Sequence, residues 1–105
     1  MKDRLDFDKI NAAALANLPA ILNRLLPGSK TIGRDVVALN PTRGDKRPGS
    51  FRINRYNCKW ADFATGDKGG DPVSLVAYLA GVSQGEAARL LAQMLGLDTG
   101  GHRHG

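Results

Sequence analysis

Hydrophobic and polar positions follow two different periods along this chain, and the change of period divides it into three parts. Near both ends, apolar residues recur every three or four positions, the spacing that places them on one face of an α-helix. Between residues 30 and 65, apolar and polar residues alternate in short runs separated by Gly and Pro, as in β-strands joined by turns. The pattern predicts helices on either side of a central sheet.

Two helices are predicted within residues 1–28. The first begins near Asp6, and the second follows a break at Asn17. Pro27 and Gly28 end the second helix, because proline cannot continue the helical hydrogen bonds and glycine accepts a left-handed cap. We expect this pair of helices to cover one face of the sheet.

A small antiparallel sheet of three or four strands is predicted over residues 30–65. The apolar runs are short, and their alternation with polar residues is typical of strands with one buried face. The predicted elements are one interrupted strand or a small hairpin over 31–39, a strand over 50–54, a turn over 55–57, a partner strand over 58–63 and a glycine-rich loop over 66–70.

A hairpin of two helices is predicted over residues 71–96. Asp71 provides an N-cap for the first helix, and Pro72 occupies its first turn. Ser83 and Glu86 have the spacing of a capping box at the start of the second helix. The chain should therefore turn back on itself between these two helices.

Together these elements predict a single α+β domain over residues 1–97, followed by a disordered tail over residues 98–105. A chain of 105 residues can form one hydrophobic core but no cleft between two lobes. We therefore expect a non-catalytic binding module rather than an enzyme.

The chain is basic, with 15 Lys and Arg residues against 10 Asp and Glu residues and a net charge of +5. This charge suits a protein that binds phosphate groups, although a soluble protein can be equally basic without such a partner. With a single cysteine, and with His102 and His104 in the tail, no internal disulfide or four-ligand zinc site can form in the body of the domain. We expect a cytoplasmic protein with no metal, no cofactor and, because no apolar run reaches about 18 residues, no membrane span.

Basic residues cluster between Arg43 and Lys59, where Asp45 is the one acidic residue and aromatic residues are interleaved. Cations neutralise phosphates, and an exposed Tyr or Trp can stack on an unpaired base. The candidate nucleic-acid contacts are Lys46, Arg47, Arg52, Arg55, Tyr56, Lys59 and Trp60. A solvated charged face remains the alternative for the cations, and a place in the core remains the alternative for Phe51 and Trp60.

Several short motifs follow one another between residues 36 and 96. They are Asn40-Pro41, Pro48-Gly49-Ser50-Phe51, an aromatic residue at Trp60, Phe63, Gly66 and Gly69-Gly70-Asp71 at the start of a helix. This order resembles the zinc-ribbon domain at the N-terminus of bacterial and phage DNA primases. That family has Cys-Pro-x-His, then Pro-Ser-Phe, then Cys-x-x-Cys, and then a Gly-Gly-Asp that caps the following helix.

The resemblance places the family's four metal ligands on Asn40, Arg43, Asp62 and Thr65. None of these is Cys or His, so the resemblance implies a degenerate, metal-free ribbon in which polar side chains form hydrogen bonds where the family binds zinc. An Arg and an Asp suit a planar two-point contact, so we expect Arg43 to meet Asp62. Cys58 falls outside the ligand pattern and is expected to be an ordinary strand residue.

The resemblance further implies a DNA-binding module of a primase-type replication protein from a phage, plasmid or other mobile element. Its expected partners are single-stranded template DNA and a separate primase or helicase catalytic domain or another replication protein. The alternative is a protein-interaction adaptor, derived from such a ribbon, that has lost DNA binding. A continuous positive field across the hairpin would favour DNA, whereas an exposed apolar patch on the last two helices would favour the adaptor.

Overall fold

A computed structural model of the chain describes residues 6–42 and 49–97. Within these ranges the chain forms four helices and five strands, and the α+β class predicted from the sequence is confirmed. In chain order the elements are α1 (Phe7–Ala16), α2 (Leu18–Leu25), β1 (Lys30–Ile32), β2 (Asp35–Ala38), β3 (Phe51–Asn54), β4 (Trp60–Asp62), β5 (Lys68–Gly69), α3 (Pro72–Ala80) and α4 (Gln84–Leu95). None of the helices in the described part of the chain is long and apolar enough to cross a membrane.

The strands form one antiparallel sheet in which each strand pairs with the next along the chain, in the order β1-β2-β3-β4-β5. The expectation of three or four strands was too low. Residues 31–39 form a hairpin rather than one strand, because Gly33 adopts a left-handed turn conformation with φ of 62°. The stretch expected to be only loop contributes β5, in which Lys68 pairs with Ala61 and Gly69 with Trp60.

The inner face of the sheet packs against α2 and α3. Side chains from both helices and from three strands share one buried cluster, which contains Leu18, Leu22, Leu26, Val36, Ala38, Phe51, Ile53, Cys58, Trp60 and Leu75. A second cluster joins all four helices and contains Ile10, Ala14, Ile21, Val73, Val76, Ala87, Ala88, Leu91 and Ala92. Helices α2 and α3 each contribute to both clusters and therefore connect the sheet to the rest of the helical part of the domain.

Local capping fixes the start of each helix in the C-terminal hairpin. The Asp71 carboxylate accepts a hydrogen bond from the Ser74 N–H at 2.8 Å, and Ser74 Oγ accepts in return from the Asp71 N–H at 3.3 Å, which completes a capping box that the sequence pattern did not identify. The Ser83 hydroxyl accepts from the Glu86 N–H at 3.1 Å. Gly81, in a left-handed conformation with φ of 69°, ends α3 and lets the chain reverse.

The sequence analysis expected Cys58 to be a strand residue, but it lies between the turn that follows β3 and the start of β4. Its backbone is left-handed, with φ of 63°, and its side chain is fully buried in the cluster beneath the sheet. Burial and, to a lesser degree, the negative charge of Asp71 raise the pKa of the Cys58 thiol from 9.0 to about 12. The folded protein therefore holds this thiol in its protonated form.

Gly69 lies under the indole ring of Trp60. A Cβ atom at this position would come within 2.5 Å of both Ser74 Oγ and Trp60 Nε1. At Gly70, one residue later, a Cβ atom would meet nothing within 4 Å. The two neighbouring glycines thus differ sharply in the space around them.

We expect Gly69→Ala to lower the free energy of unfolding by about 1–3 kcal/mol, because the new methyl group overpacks the contact between Trp60 and Ser74. Gly70→Ala is the matched control and should change stability by less than about 0.5 kcal/mol. Urea denaturation monitored by tryptophan fluorescence measures both variants. Equal stability of the two variants would contradict the close approach at Gly69.

We also expect the Cys58 thiol to make stability depend on pH in the alkaline range. Because the pKa is higher in the folded state, the unfolded chain loses this proton first, and the contribution of the thiol to stability is complete below about pH 9 and is lost between pH 9 and about pH 12. Relative to that of Cys58→Ala, the free energy of unfolding of the wild type should fall by up to about 1.4 kcal/mol per pH unit above pH 9. Denaturation curves of both proteins at pH 7, 9 and 10 test this, and a difference that does not vary with pH would refute it.

Candidate nucleic-acid interface

The outer face of the sheet, opposite α2 and α3, carries one row of residues that crosses all five strands. Backbone pairing aligns Lys30, Val37, Arg52, Ala61 and Lys68. Paired residues of antiparallel strands project from the same face, so the cationic side chains of three strands share this surface. Lys30 and Lys68 are both exposed, one on each edge strand.

Arg52 lies on this outer face, as the alternation of its strand predicted, but its guanidinium is already engaged. Nη1 contacts Oδ2 of Asp35 on the neighbouring strand at 3.2 Å, and Nε donates to the carbonyl oxygen of Gly49 at 3.0 Å. The negative charge of Asp35 offsets the positive charge of Arg52. Arg52 is therefore a weaker candidate for phosphate binding than the sequence suggested.

The turn between β3 and β4 is held by two asparagine side chains. Oδ1 of Asn54 accepts from the N–H groups of Tyr56 at 2.8 Å and Asn57 at 3.1 Å, and Oδ1 of Asn57 accepts from the N–H of Lys59 at 2.9 Å. Such side-chain bonds to the backbone fix a turn in one conformation. They hold the backbone of the turn in place before any ligand binds.

An aromatic ring and a cation pair on the surface of this turn. The Tyr56 side chain is 65% exposed, and the guanidinium carbon of Arg55 lies 5.2 Å from the centre of its ring. The arrangement is a cation–π contact. It leaves much of the ring accessible to a planar ligand and places a positive charge beside it.

The turn between β1 and β2 lies next to the turn between β3 and β4, because the Arg55 N–H donates to the carbonyl oxygen of Arg34 at 2.8 Å. Arg34, Arg55 and Lys59 are exposed, and none of these three cations forms an ion pair within the described residues. We call the surface formed by Arg34, Arg55, Tyr56 and Lys59 the basic tip. Sequence reasoning missed Arg34, since only the sheet pairing brings it beside Arg55.

Three of the predicted nucleic-acid contacts are not part of the exposed surface that the structure describes. Trp60 is only 5% exposed and packs in the core against Phe51 and Tyr78, so the indole is not available to stack on a base, and that assignment was wrong. Its inward direction follows from the strand alternation that also buries Ile53. Lys46 and Arg47 lie outside the described residues.

Two of the four positions that the sequence resemblance assigned to metal ligands share a buried hydrogen bond. Nδ2 of Asn40 donates to Oδ2 of Asp62 at 2.7 Å, and both side chains are completely buried. The hydroxyl of Thr65 does not join them and instead accepts from the N–H of Asp67 at 3.1 Å. Arg43 lies outside the described residues, so its contact with Asp62 stays a prediction.

Tyr78 of α3 extends this buried contact into a network that the sequence did not indicate. Its hydroxyl accepts from Nδ2 of Asn40 at 2.9 Å and donates to Oδ2 of Asp67 at 2.8 Å. Oδ1 of Asn40 accepts from the Thr42 backbone N–H at 2.9 Å. The network joins the chain after β2, the end of β4 and α3, and the signal that could have revealed it is a tyrosine on the core-facing side of a helix, where the hydroxyl needs a partner.

Within residues 6–42 and 49–97, no group of three or more His, Cys, Asp or Glu side chains is placed to hold a metal ion. No protein-family model matches the chain, and the search of curated proteins gives no significant match.

We expect Asn40→Ala to lower the free energy of unfolding by about 1–3 kcal/mol, because the buried carboxylate of Asp62 and the hydroxyl of Tyr78 each lose a donor. Asn23→Ala provides a matched control on the exposed side of α2 and should change stability by less than about 0.5 kcal/mol. Chemical denaturation of both variants checks this. Similar stabilities would show that the buried network does not stabilise the fold.

Proposed function

We propose that this domain is a non-catalytic, metal-free module of a primase-type replication protein of a phage, plasmid or other mobile element, and that it contacts single-stranded template DNA. The observation that carries the proposal is the exposed Tyr56 ring with the Arg55 guanidinium beside it. Two further cations without ion pairs, Arg34 and Lys59, complete the basic tip within the described residues.

Each part of the basic tip has a function in this proposal. The Tyr56 ring stacks on one unpaired base of a single strand. A base that is paired and stacked inside a duplex is not accessible to the ring. The three cations neutralise the flanking phosphates and release counterions. Because the asparagine side chains already fix the turn, little conformational entropy is lost when DNA binds.

Two exposed lysines at the edges of the outer face could contact the rest of the strand, while Val37 in the row between them is buried. Lys30 and Lys68 lie at opposite ends of the row that crosses the five strands. Four strand spacings separate them, which is about 19 Å at roughly 4.8 Å per strand. Together with the basic tip, these lysines support a binding surface longer than one nucleotide.

Catalysis is assigned to a separate domain in this proposal. The carboxylates of Asp62 and Asp67 are occupied by hydrogen bonds of the buried network and its edge, and Asp35 is paired with Arg52. Polymerisation would require carboxylates free to hold divalent cations around a nucleotide. The polymerising or helicase domain would act beside this module.

One observation favours the adaptor as a second candidate function. A groove of about 620 Å³ lies among α2, α3 and α4, and its apolar lining includes Leu25, Val76, Leu79, Leu90 and Met94. Among the described residues of the lining, Arg24 is the charged one. An apolar peptide segment with an acidic residue would match this surface in shape and charge.

The test of the DNA proposal compares two exposed aromatic residues at opposite ends of the sheet. Tyr56→Ala should weaken binding to a labelled single-stranded oligonucleotide by about 1–3 kcal/mol, since it removes the stacking ring. Phe63, which is 73% exposed after the far end of β4, is the matched control, and Phe63→Ala should leave the affinity unchanged. Fluorescence anisotropy measures both.

The same titrations at several salt concentrations, with EDTA present, test the roles of charge and metal. Affinity of the wild type should fall steeply with salt, with a logarithmic slope of roughly 0.7 for each phosphate neutralised, and EDTA should have no effect. Absence of salt-dependent binding at micromolar protein would exclude the DNA proposal and favour the adaptor. Loss of binding or folding in EDTA would exclude the metal-free part of it.

A further inference from the structure

We propose that the groove between α2 and the β1–β2 hairpin binds one unstacked nucleobase of the strand whose neighbouring base stacks on Tyr56. This inference rests on the proposed function and adds a second, base-selective subsite to it. The groove has a volume of about 420 Å³, and its lining includes Leu22, Asn23, Ser29, Thr31, Val36 and Arg55. That volume is in the range of pockets that hold small planar ligands.

The groove combines an apolar wall with free polar groups. Pro19 and Ala20 of α2 are exposed in the lining and offer an apolar contact for the face of a base, whereas Leu22 and Val36 are buried in the cluster beneath the sheet. The side chains of Asn23, Ser29 and Thr31 form no hydrogen bond with other described residues. An amide and two hydroxyls can donate to and accept from the edge of a base that is not paired.

Charge favours a nucleotide over other planar ligands. None of the described residues that line the groove is acidic, and Arg55 contributes its positive charge there. Arg55 is also the residue whose guanidinium lies 5.2 Å from the Tyr56 ring centre. A phosphate held by Arg55 would therefore connect a base on Tyr56 with the next base in the groove.

The edge of the sheet gives the strand access to this groove. Thr31 belongs to the edge strand β1, and although it shares the inner face with Val36, its side chain is exposed because α2 does not cover it. The gap between α2 and β1 is thus open to solvent beside the basic tip. A single strand could pass from the tip into the groove without any rearrangement of the fold.

The experiment uses the full chain with Asn23→Ala and Thr31→Val combined, a double variant that removes two hydrogen-bonding groups at exposed positions and keeps the shape of residue 31. Gln93→Ala, on an exposed position of α4 outside this groove, is the control. Anisotropy titrations use labelled oligonucleotides of only dT, only dC or only dA. The wild type should prefer one of the three, and the double variant should bind the preferred one about five- to tenfold more weakly, with the preference reduced.

Chemical-shift mapping provides a second measurement that does not depend on affinity. On addition of the preferred oligonucleotide to ¹⁵N-labelled wild-type protein, the backbone signals of Ser29 and Thr31 and the Asn23 side-chain amide should shift together with those of the basic tip. The groove proposal is overturned if the wild type binds the oligonucleotides with salt-dependent affinity, the double variant binds them as tightly as the wild type does, and the Asn23 side-chain signal does not shift. The proposed function would stand in that case. If wild type binds none of them, both fail.

Discussion

The indole ring of Trp60 makes the contact on which the rest of the structure depends. It packs edge-on against Phe51 and lies 4.6 Å from the ring centre of Tyr78, while its Nε1 donates to Ser74 Oγ at 3.0 Å. One side chain of the sheet thereby contacts two successive turns of α3. The contact requires Gly69, because a side chain there would collide with the indole.

By fixing the inner face, this contact also fixes the surface available for binding. In a strand, successive side chains project to opposite faces, and a shift of one residue in register would exchange them. With Trp60 and Ile53 held inward, Arg52 and Lys68 must project outward. The positive outer face and the buried aromatic cluster are therefore two consequences of one register.

Stability and candidate binding occupy opposite ends of the sheet. The buried hydrogen bond from Asn40 to Asp62 lies where β2 and β4 end, whereas Asn54 fixes the turn of the basic tip at the other end. The two groups share no hydrogen bond within the described residues. Substitutions in the basic tip should therefore change DNA binding with little effect on the stability of the fold.

The sequence by itself determined the features that depend on residues close to one another along the chain. The helices, their N-caps at Asp71 and Ser83 and the strands with alternating burial follow from local backbone preferences and periodicity. Only the tertiary structure decided that Trp60 is covered, that Asp35 offsets Arg52, and that Arg34 and Arg55 meet. Alternation shows which residues share a face, but contacts between residues distant in sequence decide which face is covered and which charges remain free.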